Sequence, residues 1–132
     1  MEDRQGSARL LHRRTTFAIL GCAIDVHRSL GPGLLESAYR RCLVQALELK
    51  GLAVEQEVPV SITYEGCKIE GAFRADIVVN RSVLLELKAV DRLLPIHDAQ
   101  ILTYLKLLRV RVGLLVNFNV RRLMDGVHRF VL

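Results

Sequence analysis

Asp76, Glu86 and Lys88 are set into two strand-like, largely apolar runs, Phe73 to Val79 and Val83 to Lys88, where charge needs a reason. Successive side chains of a strand alternate faces. Glu86 and Lys88 therefore project together from one face, and Leu85 and Leu87 from the other. A carboxylate and an ammonium side by side on a sheet, with a second carboxylate on the preceding strand, can bind a divalent cation and orient the water it activates. That is the chemistry of metal-assisted phosphodiester hydrolysis.

This reading carries a condition on register. If the hairpin loop is Asn80-Arg81-Ser82, Val79 pairs with Val83 and Asp76 falls opposite Glu86 on the same face. A two-residue loop opposes Asp76 to Leu85 and separates the carboxylates. The plainer alternative is a cross-strand ion pair in which Lys88 neutralises Glu86 on a solvated face.

A third carboxylate belongs to a helix. Gly31-Pro32-Gly33 ends any preceding helix, and Leu34 to Leu49 reads as a new one, with Leu35, Tyr39, Cys42, Leu43 and Ala46 at helical spacing. Glu36 sits in its first turn, on the stripe of Tyr39, Leu43 and Ala46 that faces the core. A buried carboxylate must be paired, coordinated or protonated; the alternative is a Glu favoured near the helix N-terminus by the macrodipole.

The run Gly33-Leu34-Leu35-Glu36-Ser37-Ala38-Tyr39 resembles the signature of the GxxExxY proteins of the PD-(D/E)XK nuclease-like superfamily. The resemblance continues through Ala23 to His27, Arg74-Ala75-Asp76, Glu86 to Val90, Ala99 to Leu105 and Gly113 to Val120, in order. It implies an α/β restriction-endonuclease-like fold in a single domain, a central mixed sheet flanked by helices. It also implies that Asp76 and Glu86 are metal ligands, Lys88 the catalytic lysine, Glu36 the helical acid, and Gln100 with Tyr104 the polar pair on the helix after the site. Two positions depart from the pattern: Leu108-Arg109 replaces a Gly-containing helix end, and Phe73 a commoner Tyr. The expected activity is a Mg²⁺- or Mn²⁺-dependent nuclease, with Asp76, Glu86, the Leu87 carbonyl and Glu36, directly or through water, around the metal. DNA is favoured over RNA as partner. The competing class is a catalytically silent nucleic-acid- or protein-binding module that retains the fold, with homodimerisation plausible for so small a chain.

Composition agrees with one compact domain: 132 residues, 51% hydrophobic, with a formal charge of +5 that suits a polyanionic partner. Basic residues concentrate at Arg4, Arg9, Arg13 and Arg14, then Arg40-Arg41, then Lys106, Arg109 and Arg111, and Arg121-Arg122. With no tryptophan, an aromatic platform for single strands is not expected. Cys22, Cys42 and Cys67 form no CxxC pair, which points to a reducing, cytoplasmic setting and against zinc or an iron–sulfur cluster. Phosphate-binding and dinucleotide glycine motifs and a G-x-S-x-G nucleophile are absent. No run reaches the roughly 20 apolar residues of a membrane-spanning helix.

The remaining elements frame these residues. Residues 1–12 read as a tail and 13–132 as the domain, with a first helix from about Arg14 to Ser29 whose stripe is Phe17, Leu20, Ala23, Ile24 and His27. Val54 to Tyr64 alternates as an antiparallel strand, with Pro59 marking an edge or bulge. Cys67 to Glu70 reads as a short strand, separated by Gly71 from the Asp76 strand. A helix from about Asp98 to Leu108 places Gln100 and Tyr104 on one face, Arg111 to Phe118 is a strand covered on both faces, and a final strand runs from Val127. His27, His97 and His128 read as hydrogen-bonding residues near the core rim, with His27 worth testing as a site residue.

Overall fold

The computed structural model describes residues 12–132; the tail expected over 1–12 lies, but for His12, outside the described residues. Two helices, α1 (Arg13–Leu30) and α2 (Glu36–Leu49), precede strands β1 (Val54–Tyr64), β2 (Cys67–Val79) and β3 (Val83–Lys88). Helix α3 (Pro95–Leu108), strand β4 (Val112–Asn117), a 3₁₀ turn at Leu123–Gly126 and strand β5 (Val127–Val131) complete the chain. The strands form one mixed sheet in the order β1-β2-β3-β4-β5, antiparallel except for β3 against β4. The β3–α3–β4 crossover accounts for that parallel pair, which cannot be joined by a tight turn. The result is an α/β restriction-endonuclease-like fold, a central mixed sheet flanked by helices.

Each face of the sheet has its own core. Ile77, Val79, Val83, Leu85, Leu87, Leu114 and Val116 pack against Ile19, Ala23, Tyr39 and Leu43 of α1 and α2. On the other face Val60, Ala75, Val78, Leu84 and Leu115 pack against Ile101, Tyr104 and Leu105 of α3. β4 is buried along its whole length, as its apolar run predicted.

Four expectations need correction. The buried stripe of α1 is Thr16, Ile19, Cys22, Ala23, Val26 and His27, while Phe17 is 78% exposed. Apolar residues cover so much of this helix that two stripes about 100° apart fit the periodicity, and docking on α2 and the sheet selects one. α2 starts at Glu36, leaving Leu35 outside the helix and 78% exposed; Tyr39, Leu43, Val44 and Leu47 are buried and Cys42 is not. β2 is continuous through Gly71, because a register shift against β1 between Val60 and Ile62 absorbs the extra residues and Gly71 takes the positive φ this requires. α3 begins at Pro95, where the missing proline N–H costs nothing, and closes on Arg109 in the left-handed conformation, φ 58°, without a glycine.

Candidate metal centre

The Asn80-Arg81-Ser82 loop sets the expected register, with Val79 opposite Val83, Val78 opposite Leu84 and Ile77 opposite Leu85. The ladder stops there. In place of the next pairing, the backbone N–H of Asp76 donates to Glu86 Oε1 at 3.0 Å, and the N–H of Leu87 donates to Asp76 Oδ2 at 2.9 Å. Each carboxylate thus satisfies a backbone donor of the opposite strand, and the two acids stand together where β2 and β3 part. β2 also changes its side-chain pattern here: Ile77 and Val79 face α1 and α2, whereas Ala75 belongs to the core under α3. Glu57 of β1, two residues from Pro59, takes a positive φ of 47° beside this break. Irregular strand geometry of this kind re-aims side chains and recurs next to active sites.

The electrostatics follow from crowding. Glu86 is 5% exposed. Burial, then the negative charge of Asp76, pushes its carboxyl up to about 8, against the pull of the Asp76 backbone N–H and the Lys88 ammonium. Glu36 is also raised, first by burial and then by Asp76, with Lys88 and Arg40 opposing. Tyr104 is raised by burial, and by Glu86 and Asp76, against the hydrogen bond that Gln100 Nε2 donates to its hydroxyl at 3.1 Å. The fold therefore brings Asp76 and Glu86 into contact through their strands' backbone N–H groups, with Lys88 and Glu36 near enough to act on their charge, and Tyr104, bonded to Gln100, on α3.

The histidines lie elsewhere. His27 Nε2 bonds the Val120 carbonyl at 2.7 Å, which makes it a brace, His97 Nδ1 accepts from the Leu94 N–H at the start of α3, and His128 is exposed rather than near the core.

Sequence reasoning missed a brace at the end of β4. Asn117, 2% exposed, accepts from Val90 N–H at 3.1 Å and donates to Val90 O at 2.9 Å, clamping the segment that leaves Lys88. Phe118 N–H donates to the Lys88 carbonyl at 2.9 Å, and its ring stacks on Tyr39 at 4.6 Å. Asn119 Oδ1 accepts from Gly33 N–H at 3.1 Å, and Tyr39 hydroxyl donates to Gly31 O at 2.6 Å. Three consecutive residues thus tie the strand bearing Lys88 to the loop and helix bearing Glu36. The signal was a polar Asn in a wholly apolar strand, since a buried amide must be hydrogen-bonded. Arg40 was also missed: its guanidinium lies 3.9 Å from Glu36 and 3.5 Å from Glu57.

Residues 13–130 match the family defined as the PD-(D/E)XK nuclease superfamily. The chain belongs to that superfamily. In this PD-(D/E)XK protein Glu86-Leu87-Lys88 has the form of the (D/E)XK in the name. A solved structure, "Crystal structure of SSO0001", is similar at 27% identity with a TM-score of 0.55, over 72% of this chain and 48% of that one. The chain thus spans about half the length of that structure. A comparison with curated proteins found no match. Among the described residues, no helix is long and apolar enough to cross a membrane.

Proposed function

We propose that this PD-(D/E)XK protein is a Mg²⁺- or Mn²⁺-dependent nuclease that hydrolyses phosphodiester bonds, preferring DNA, with residues 13–132 as its single catalytic domain. The run Gly33 to Tyr39 supports placing it among the GxxExxY proteins. The observation that carries the reading is the Asp76–Glu86 pair: two acids held together at the parting of β2 and β3, one of them nearly buried, its acidity suppressed first by that burial and then by the other.

The donor set fits a hard divalent cation. Asp76 Oδ2 and Glu86 Oε1 serve backbone N–H groups, which leaves Asp76 Oδ1 and Glu86 Oε2 to coordinate. Among the described residues no three His, Cys, Asp or Glu side chains converge as a metal cluster. Mg²⁺ does not demand one, since it keeps several waters and takes one or two carboxylates besides substrate phosphate. The Leu87 carbonyl would add a protein oxygen, and Glu36 would act through water. When bound, the cation supplies an acidified water and offsets charge at the phosphoryl group. Lys88 orients the attacking water or balances the charge developing on phosphate, and the Tyr104 hydroxyl, held by Gln100, positions a phosphate oxygen.

Calorimetric titration of Mg²⁺ and Mn²⁺ into wild type and Asp76→Ala, followed by cleavage assays on mixed nucleic acids, tests this. Wild type should bind and cleave, and Asp76→Ala should do neither while remaining folded. Lys88→Met should bind the cation yet lose at least about a hundredfold in kcat. A wild type that binds metal and nucleic acid but cleaves nothing would leave a binding module.

A further inference from the structure

β2 has thirteen residues, but only Ile77, Val78 and Val79 pair with β3. From Asp76 back to Cys67 its inner edge has no strand partner among the described residues, so β2 runs on past β3 from the two carboxylates. Phe73 stands on this free stretch, three residues before Asp76, or about 10 Å along a strand. It is 43% exposed, and its ring lies 5.8 Å from that of Tyr104 at a tilt of 44°. Tyr104 is itself within the field of Glu86 and Asp76, so the Phe73 ring, in contact with Tyr104, stands on the side of the sheet from which α3 meets the two carboxylates.

This combination is specific in what it can receive. The Tyr104 ring lies against Phe73, whose remaining surface is open to solvent. A base inside a duplex already has both of its faces covered by neighbouring bases, so it cannot lie on a protein ring; an unpaired base can. We propose that Phe73, seated on Tyr104, is a stacking subsite for one unpaired nucleobase next to the scissile phosphate, making single-stranded or locally opened nucleic acid the substrate class. The proposal rests on the nuclease reading for the position of that phosphate. It also reverses the expectation drawn from the lack of tryptophan: the fold assembles from two smaller rings what the sequence holds 31 positions apart, at 73 and 104.

The test uses a single-stranded oligonucleotide carrying 2-aminopurine and the matching duplex, with Mg²⁺, on the non-cleaving Lys88→Met background. Stacking quenches the probe, and anisotropy reads affinity. Phe73→Leu keeps an apolar side chain over Tyr104 but removes the aromatic face; it should weaken single-strand binding about tenfold, abolish the quench and leave duplex affinity within about twofold. Phe73→Tyr should restore both. Arg121→Ala with Arg122→Ala, exposed after β4, should weaken single strand and duplex alike, because phosphate contacts do not distinguish them. Phe73→Leu that binds single strands as well as its parent, or loses both substrates equally, would overturn the subsite. Melting temperatures of the variants separate either result from unfolding. Protein that binds and quenches single strands while wild type cleaves nothing would sustain the subsite and remove the nuclease reading; protein that binds no nucleic acid removes both.

Discussion

Glu86 is the residue on which most of the chemistry turns, and its acidity makes it measurable. Its carboxyl is raised from an ordinary 4.5 to about 8 by burial and by Asp76. A group raised on folding binds its proton more tightly in the native state. The stabilisation is therefore fully present below about 4.5 and lost as pH rises through about 8. Without divalent cation, the melting temperature of wild type should fall across this window, and that of Glu86→Gln should fall less. Mg²⁺ affinity should rise over the same interval, because binding requires the carboxylate. An unchanged slope in Glu86→Gln would assign the titration to another group. Asp76, Glu86 and Lys88 were legible because a strand has a period of two and a three-residue loop fixes register. Asn117 and Phe73 were not, because their partners, Val90 and Tyr104, are 27 and 31 positions distant and only the folded sheet selects them.

Between elements, the Asn117–Asn119 segment works as a spacer. β3 ends at Lys88, α2 begins at Glu36, and the two are joined in space through Val90, Phe118, Tyr39 and Gly33. Asn119→Ala frees the Gly33 N–H at a surface where water replaces the lost acceptor. The stability cost should be about 1 kcal/mol or less. Activity should fall further than that, since Glu36 follows Gly33 by three residues, and the loss should vanish in a Glu36→Gln background. Asn119→Asp, which keeps an Oδ acceptor, should retain most activity. Asn117→Ala differs because it removes the partner of three half-buried backbone groups, the N–H and C=O of Val90 and the N–H of Asn119, at up to roughly 1–3 kcal/mol each, and should lower the melting temperature outright. Additive losses in the Asn119→Ala, Glu36→Gln pair would show that Asn119 does not act through Glu36. The helices show how far pattern alone reaches: α1 and α2 were legible as elements, but which stripe of α1 faces inward was decided by its neighbours.

At the scale of the molecule, the fold sorts basic clusters that composition could only count. β3 and β4 run parallel, with Val83 beside Val112 and Lys88 beside Asn117, so the carboxylates lie toward the C-terminal ends of both strands. Arg121 and Arg122 follow β4 at that end and are exposed. Lys106, Arg109 and Arg111 lie at the other end, about 20 Å away along six residues of strand, where Arg111 Nε is engaged by the Leu132 carbonyl at 3.0 Å. Ligands of open α/β sheets gather beyond the C-terminal strand ends, where loops can close on them. Phosphates approaching the Asp76–Glu86 site should therefore meet Arg121 and Arg122 and miss the opposite cluster. Each phosphate contact releases condensed counterions, so losing two of them should flatten the plot of log affinity against log salt by about 1.4 to 1.8. Arg121→Ala with Arg122→Ala should show that change together with a weaker Kd at low salt. Arg109→Ala with Lys106→Ala should change neither by a comparable amount. The reverse pattern would move the nucleic acid to the far end of the sheet and break the link between the +5 charge and this site.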